Sequence, residues 1–319
     1  MKPYVIGVDL GGTNTVFGVV DSVGTVIEEG SIKTGNFKTA ADFVNAGLEC
    51  IYSIIQKVGG IEQIQGMGIG APNANYYTGT IEFAPNIPWA HNGVIQLAGM
   101  FASELGIPVR MTNDANAAAM GEKLYGVAKG MKNFIMITLG TGLGAGIIIN
   151  GNLVYGHDGF AGELGHVNMD RSENARQCGC GSKGCLETYC SATGVARTAR
   201  EFLQSTDRPS ILRQKPADEI ESLDVFLAAQ KGDEIAKEVF QFTGTMLGWA
   251  CADFTAFSSP EAFIFFGGLC KSGDLLMKPL EETYNRVVMP LFRNKAKFII
   301  SGLMNKNAAV LGASALGWE

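Results

Sequence analysis

Two segments of this chain follow one plan. Residues 4–9 and 15–20, rich in Val, Ile and Phe, read as strands joined by the turn Gly11-Gly12-Thr13-Asn14. Phe134–Leu139 and Gly146–Asn150 repeat the pattern around Gly140-Thr141-Gly142-Leu143-Gly144-Ala145. In each, glycines let backbone amides converge and a threonine adds a hydroxyl donor, a concave array suited to phosphate. No Gly-Lys-Ser/Thr follows, and neither turn leads into a helix, so the P-loop and the dinucleotide fingerprint are excluded. One such turn is ordinarily only a hairpin. Two, opening two similar halves, constrain the fold: strand triplets followed by helix–strand alternation, occurring twice, predict two related α/β domains around a cleft.

The remaining periodicity fits. Thr25–Ile32 completes the first triplet, and residues 39–58 read as a helix from Phe43, Ala46, Gly47, Ile51, Ile54 and Ile55, stopped by Gly59-Gly60. Strands are expected at 65–70, 108–112, 261–266 and 298–301. Helices are expected at 94–105, 115–125, 193–203, 234–257, 275–288 and 307–316. Asp9, at the mouth of the first turn, is placed to bear on magnesium, which favours carboxylates with phosphate oxygens; it can equally cap the turn. Phe265-Phe266-Gly267-Gly268 ends a buried strand where a flat ligand can lie on backbone, or simply marks a strand terminus.

The segment Glu163–Glu187 carries metal chemistry. His166 and the C-x-C-x-x-x-x-C run Cys178, Cys180 and Cys185 supply four soft ligands, the number of a closed tetrahedral zinc site. Gly179, Gly181 and Gly184 let the backbone wrap an ion. Buried thiols are the plainer alternative, but a packed strand would not carry those glycines. Seven cysteines without a signal segment argue against a disulfide framework. Cys50, Cys190, Cys251 and Cys270 sit in apolar stretches and read as core thiols. A closed site leaves no position for water, so the zinc is structural.

Length and charge exclude other classes. A chain of 319 residues, 46% hydrophobic and 18% charged, suits two packed domains and not a disordered one. Net charge −6 lacks the basic face that nucleic acid requires. No apolar run reaches membrane-span length. A strand beginning at Tyr4 leaves no targeting segment, so a cytoplasmic chain is expected.

Together the Asp9–Thr15 turn, Asn113-Asp114-Ala115-Asn116-Ala117-Ala118, the second glycine turn, Glu163-x-Gly-His166 and the cysteine run ending at Glu187 resemble the ROK family of sugar kinases and repressors, glucokinases above all, across essentially the whole chain. The resemblance implies a two-domain actin-like ATPase (ribonuclease H-like) α/β fold with a central cleft and a zinc-binding insertion at 163–187. The domains would be 1–112, with a closing helix 306–319, and 113–305. It implies ATP and Mg2+ at Asp9, Gly11, Gly12, Thr13, Asn14, Thr141 and Gly142, with adenosine near Gly267 and Gly268. Asp114 would be the base for the sugar's 6-hydroxyl, and Asn86, Asn113, Glu163, His166 and Glu187 would hold other hydroxyls. The alternative role of Asp114 is the N-cap of the Ala-rich helix after it. Pro85-Asn86-Ile87-Pro88-Trp89 resembles the glucokinase version of the loop before the sugar, although Trp89 can equally be a buried hydrophobe. Glucose is expected first; N-acetylglucosamine, mannose, fructose and allose are the alternatives. A sugar-responsive repressor without a DNA-binding domain is the rival from another class. A homodimer or homotetramer is implied by likeness alone, and residues 205–221 read as a polar loop without an assigned role.

Overall fold

A computed structural model describes residues 2–303 and 308–319. The chain divides into two units, Met1–Met131 with Gly146–Gly162 and Ser301–Glu319, and Lys132–Ala145 with Glu163–Ile300.

In the first unit, β1 (Tyr4–Leu10), β2 (Asn14–Asp21) and β3 (Val26–Lys33) form an antiparallel meander. After α1 (Ala40–Ile55) comes β4 (Ile64–Gly70), parallel to β1. A small sheet follows: β5 (Ala74–Asn75), β6 (Thr80–Glu82) and β7 (Val94–Ile95). Then come α2 (Leu97–Leu105), β8 (Val109–Thr112), parallel to β4, and α3 (Asp114–Tyr125). The main sheet runs in the order β3-β2-β1-β4-β8. Helix α1 starts at Thr39, whose side chain accepts from the Asp42 N–H at 3.1 Å, and it buries Phe43, Val44, Leu48, Ile51, Ile54 and Ile55.

The second sheet repeats that order. Strands β9 (Phe134–Leu139), β10 (Leu143–Ile149) and β11 (Asn152–Leu153) are followed by α4 (Glu187–Cys190), α5 (Ala192–Gln204), α6 (Ser222–Gln230) and α7 (Glu234–Ser258). Then come β12 (Ala262–Phe266), α8 (Asp274–Val287) and β13 (Lys297–Ile300), giving β11-β10-β9-β12-β13. Strand β12 is buried at Ala262–Phe265 and runs parallel to both β9 and β13, so its near-continuous apolar run is that of a central strand.

Helix α9 (Ala308–Leu316) lies on the first sheet, where glycines let it approach. A Cβ at Gly7 would collide with the Val310 carbonyl oxygen, and one at Gly68 with that of Ala313. The start expected for this helix, residue 306 or 307, lies outside the described residues. The expected domain boundary falls after residue 112, whereas α3 belongs to the first unit, because α3 packs on α9: a Cβ on Gly121 would sit 2.8 Å from Gly312 Cα.

Three local expectations need correction. Residues Val94–Ile95 are a strand and not the start of a helix; pairing with β6 prevails, and α2 begins at Leu97. The second glycine turn is tighter than expected, since β10 begins at Leu143. The cap of α3 is Asn113, not Asp114: Asn113 Oδ1 accepts from the Asn116 N–H at 2.7 Å, and Asp114 is the first helical residue. Among the described residues no helix is long and apolar enough to cross a membrane.

Candidate functional site

The first unit presents two carboxylates beside a glycine turn. Asp9 lies near the end of β1, and the turn after it is held by the Gly11 N–H to Asn14 C=O bond at 3.0 Å. Burial, and then the charge of Asp114, push the Asp9 carboxyl up to about 6. Asp114 is also pushed up by burial, with its Oδ1 accepting from the Ala115 N–H at 2.8 Å, yet the residue still reaches solvent. Two acids that resist ionisation beside each other are the donor set a divalent cation relieves. Asn86 is brought to the same turn, since a Cβ at Gly12 would lie 2.6 Å from the Asn86 carbonyl oxygen. Thr13 and Asn14 are exposed at its tip. Trp89 is buried at 7% exposure and stacks on Phe43 at 4.6 Å, so it is a core residue under the loop that carries Asn86.

The second unit holds the metal cluster. Ligand atoms of His166, Cys178, Cys180 and Cys185 all lie within 4.8 Å of one another. Cys180 and Cys185 sulfurs are 3.7 Å apart, and Cys178 Sγ is 3.7 Å from His166 Nδ1. A tetrahedron with Zn–S bonds of about 2.3 Å has edges of about 3.8 Å, which those two separations match, so the donor set suits zinc. A disulfide would need sulfurs at about 2 Å. Cys178 and Cys185 are buried, at 3% and 1%, while Cys180 is exposed, and the Ser182 N–H draws its thiol down to about 7. Nδ1 faces the sulfurs, which leaves Nε2 toward Glu163, 3.9 Å from its Oε2.

Glu187 joins this cluster to the second glycine turn. Its Oε2 accepts from the Leu143 N–H at 2.8 Å, and its Oε1 is 3.9 Å from Cys178 Sγ. A Cβ at Gly142 would strike Glu187 Oε2, so an added methyl there pushes that carboxylate aside. The turn is further fixed by α5: Ala192 N–H donates to Gly140 C=O at 2.8 Å, and Thr193 Oγ1 donates to Thr141 C=O at 2.9 Å.

A cavity of about 480 Å3 opens beside that turn, lined by Thr141, Thr193, Arg200, Asp218, Glu219 and Glu221 among others. A smaller one of about 230 Å3 is lined by Ser222, Leu223, Phe226, Gly268 and Lys271. Gly267 sits at φ 116°, with the Leu139 carbonyl oxygen where a Cβ would be. Residues 218–222, with no role assigned from sequence, thus form a wall near Thr141.

Arg176 also escaped the sequence reading. It is 5% exposed, donates to Thr188 C=O at 2.7 Å and Thr198 Oγ1 at 2.9 Å, and pairs with Glu201. Its guanidinium lies 4.5 Å from the Tyr189 ring centroid, so it ties the metal segment to α5. Only its position within the cysteine segment hinted at this.

Of the sequence-predicted residues, Asp9, Gly11, Gly12, Thr13, Asn14, Asn86, Asn113 and Asp114 lie in the first unit. Thr141, Gly142, Glu163, His166, the three cysteines, Glu187, Gly267 and Gly268 lie in the second.

A glucokinase of Streptomyces coelicolor is 37% identical over 98% of this chain and 97% of that protein. A glucokinase of Halalkalibacterium halodurans is 34% identical over 99% and 94%. The crystal structure of a ROK family glucokinase from Streptomyces griseus in complex with glucose and AMPPNP matches with a TM-score of 0.76 at 34% identity, covering 98% of each chain. The family model described as the ROK family matches residues 5–319, and the chain belongs to that family.

Proposed function

We propose that this chain is an ATP-dependent glucokinase that transfers the γ-phosphoryl of ATP to the 6-hydroxyl of glucose. What carries the reading is Asp114: a solvent-reachable carboxylate at the first residue of α3, beside Asp9 and the first glycine turn, in a chain 37% identical to a glucokinase. Asp114 accepts the proton of the 6-hydroxyl as it attacks. Burial raises its pKa, which makes its carboxylate a better proton acceptor than an ordinary one. Asn86, Asn113, Glu163, His166 and Glu187 hold the other hydroxyls, carboxylates accepting and amides doing both. One oxygen of Glu187 is already committed to the Leu143 N–H, so its other oxygen is the one offered to sugar.

ATP phosphates lie along Gly11–Asn14 and Thr141–Gly142, and the cavities lined by Asp218–Glu221 and by Gly268 receive the nucleoside, where the carboxylates of the first would accept from ribose hydroxyls. Asp9 would hold Mg2+, which when bound neutralises charge on the transferring phosphoryl. His166, Cys178, Cys180 and Cys185 would hold a structural zinc that fixes the His166 ring and leaves Nε2–H to donate. A homodimer or homotetramer is part of the proposal and is read by light scattering.

A panel of hexoses in a coupled ADP-release assay tests the reading. Glucose should give the highest kcat/KM, followed by mannose or N-acetylglucosamine. A wide preference for fructose, allose or N-acetylmannosamine would move the assignment to another sugar kinase. No hexose-dependent ADP would remove it.

A further inference from the structure

The chain reaches Glu163 through the loop that follows β11. Gly156, Gly159 and Gly162 have φ of 75°, 93° and 101°, and glycine, lacking a Cβ, gives an untethered backbone the most conformational freedom to lose. The β5–β6 hairpin supplies the tethers. Asn75, 5% exposed, donates from Nδ2 to the Asp158 carbonyl at 2.8 Å, while its Oδ1 accepts from the Tyr77 N–H at 3.0 Å. Tyr77 Oη donates to the Gly156 carbonyl at 2.7 Å. The Tyr76 ring stacks on Tyr155 at 3.9 Å. Three consecutive hairpin residues therefore hold three points of one loop, and the Ala161 N–H to Tyr155 C=O bond at 3.0 Å closes it. Gly159 is pressed against Asn75, since a Cβ there would lie 2.5 Å from Oδ1.

His166 and Glu163 depend on this loop unequally. His166 is fixed from its far side by the cysteine cluster. Glu163 follows Gly162 directly, so the tethered loop holds its backbone on the N-terminal side, while the His166 N–H to Glu163 C=O bond at 3.0 Å holds the C-terminal side. We propose that Asn75 and Tyr77 are positioning residues for hexose, ordering the backbone that presents Glu163 before sugar arrives. The inference rests on the reading that Glu163 holds a sugar hydroxyl. A loop ordered only on binding would weaken sugar affinity by the cost of that ordering and leave ATP affinity alone.

Two variants test it. Asn75→Asp keeps the acceptor for the Tyr77 N–H and replaces the donor to Asp158 with an acceptor. Tyr77→Phe removes the Gly156 bond at a side chain that is 58% exposed, where folding is not at stake. Each should raise the glucose KM by about three- to ten-fold, the worth of one hydrogen bond. The double variant should raise it further, with ATP KM and zinc content unchanged. An active wild type whose variants leave glucose KM unmoved, or raise glucose and ATP KM in parallel, overturns the inference alone. A wild type without hexose-dependent ADP release overturns the kinase reading, and this inference with it.

Discussion

Asp9 should be a residue that the fold would be more stable without. Its carboxyl sits at about 6 in the folded chain against an ordinary 3.8, so the folded state holds the proton more tightly than the unfolded state does. Stability from that difference is complete below pH 4 and is lost as pH rises through 6. Above pH 6 the ionised, buried acid costs about 3 kcal/mol, since each tenfold difference in proton affinity between folded and unfolded chains is worth about 1.4 kcal/mol. Asp9→Asn removes the cost at every pH. In metal-free buffer at pH 7.5 the variant should therefore melt higher, on the order of 5 °C. The gain should shrink between pH 6 and 4 and vanish below. Magnesium and ATP should stabilise the wild type and not the variant, which should lose turnover by at least about 100-fold, as a site stripped of its cation ligand does. Thermal melts across pH, read by circular dichroism, decide it. A destabilised variant, or a gain independent of pH, would refute the claim that Asp9 is strained by burial beside Asp114.

Two further outcomes follow from the second unit. Elemental analysis should find one zinc per chain, and stripping it with a strong chelator, or substituting Cys185→Ala, should lower both melting temperature and turnover; zinc-free protein with full activity would contradict the metal assignment. Gly142→Ala drives a methyl into Glu187 and displaces it from the Leu143 N–H, so kcat/KM should fall about 10- to 100-fold, the value of a charged hydrogen bond, with zinc retained.

What the sequence disclosed and what it hid divide along physical lines. Strands β1, β2, β9 and β12, the two glycine turns and the four metal ligands are local patterns, in which residue type and spacing carry the geometry. Asn113 and Asp114 show the limit: both are good caps, and only backbone dihedrals decide that Asn113 stands outside the helix. Val94-Ile95 reads as the start of a helix in the sequence, and only pairing with β6, a tertiary contact, makes it a strand. The rise in the Asp9 pKa comes first from burial that no window reveals, and then from Asp114, more than a hundred residues away. Arg176 and Asn75 draw no notice in the sequence because their partners, Glu201 and Tyr189 for one and Asp158 for the other, come from other elements. Residues 218–222 have no periodicity, and their place beside Thr141 is purely tertiary.

The most direct test of Asp114 as the proton acceptor is Asp114→Asn, with glucose affinity measured by calorimetry and turnover by ADP release on the same preparation. A general base contributes about 10²–10⁴ in rate, and the amide keeps its hydrogen-bonding shape. Glucose affinity should stay within about two-fold of wild type while kcat falls at least about 100-fold. Turnover close to wild type, or a loss explained wholly by failure to bind glucose, would contradict it.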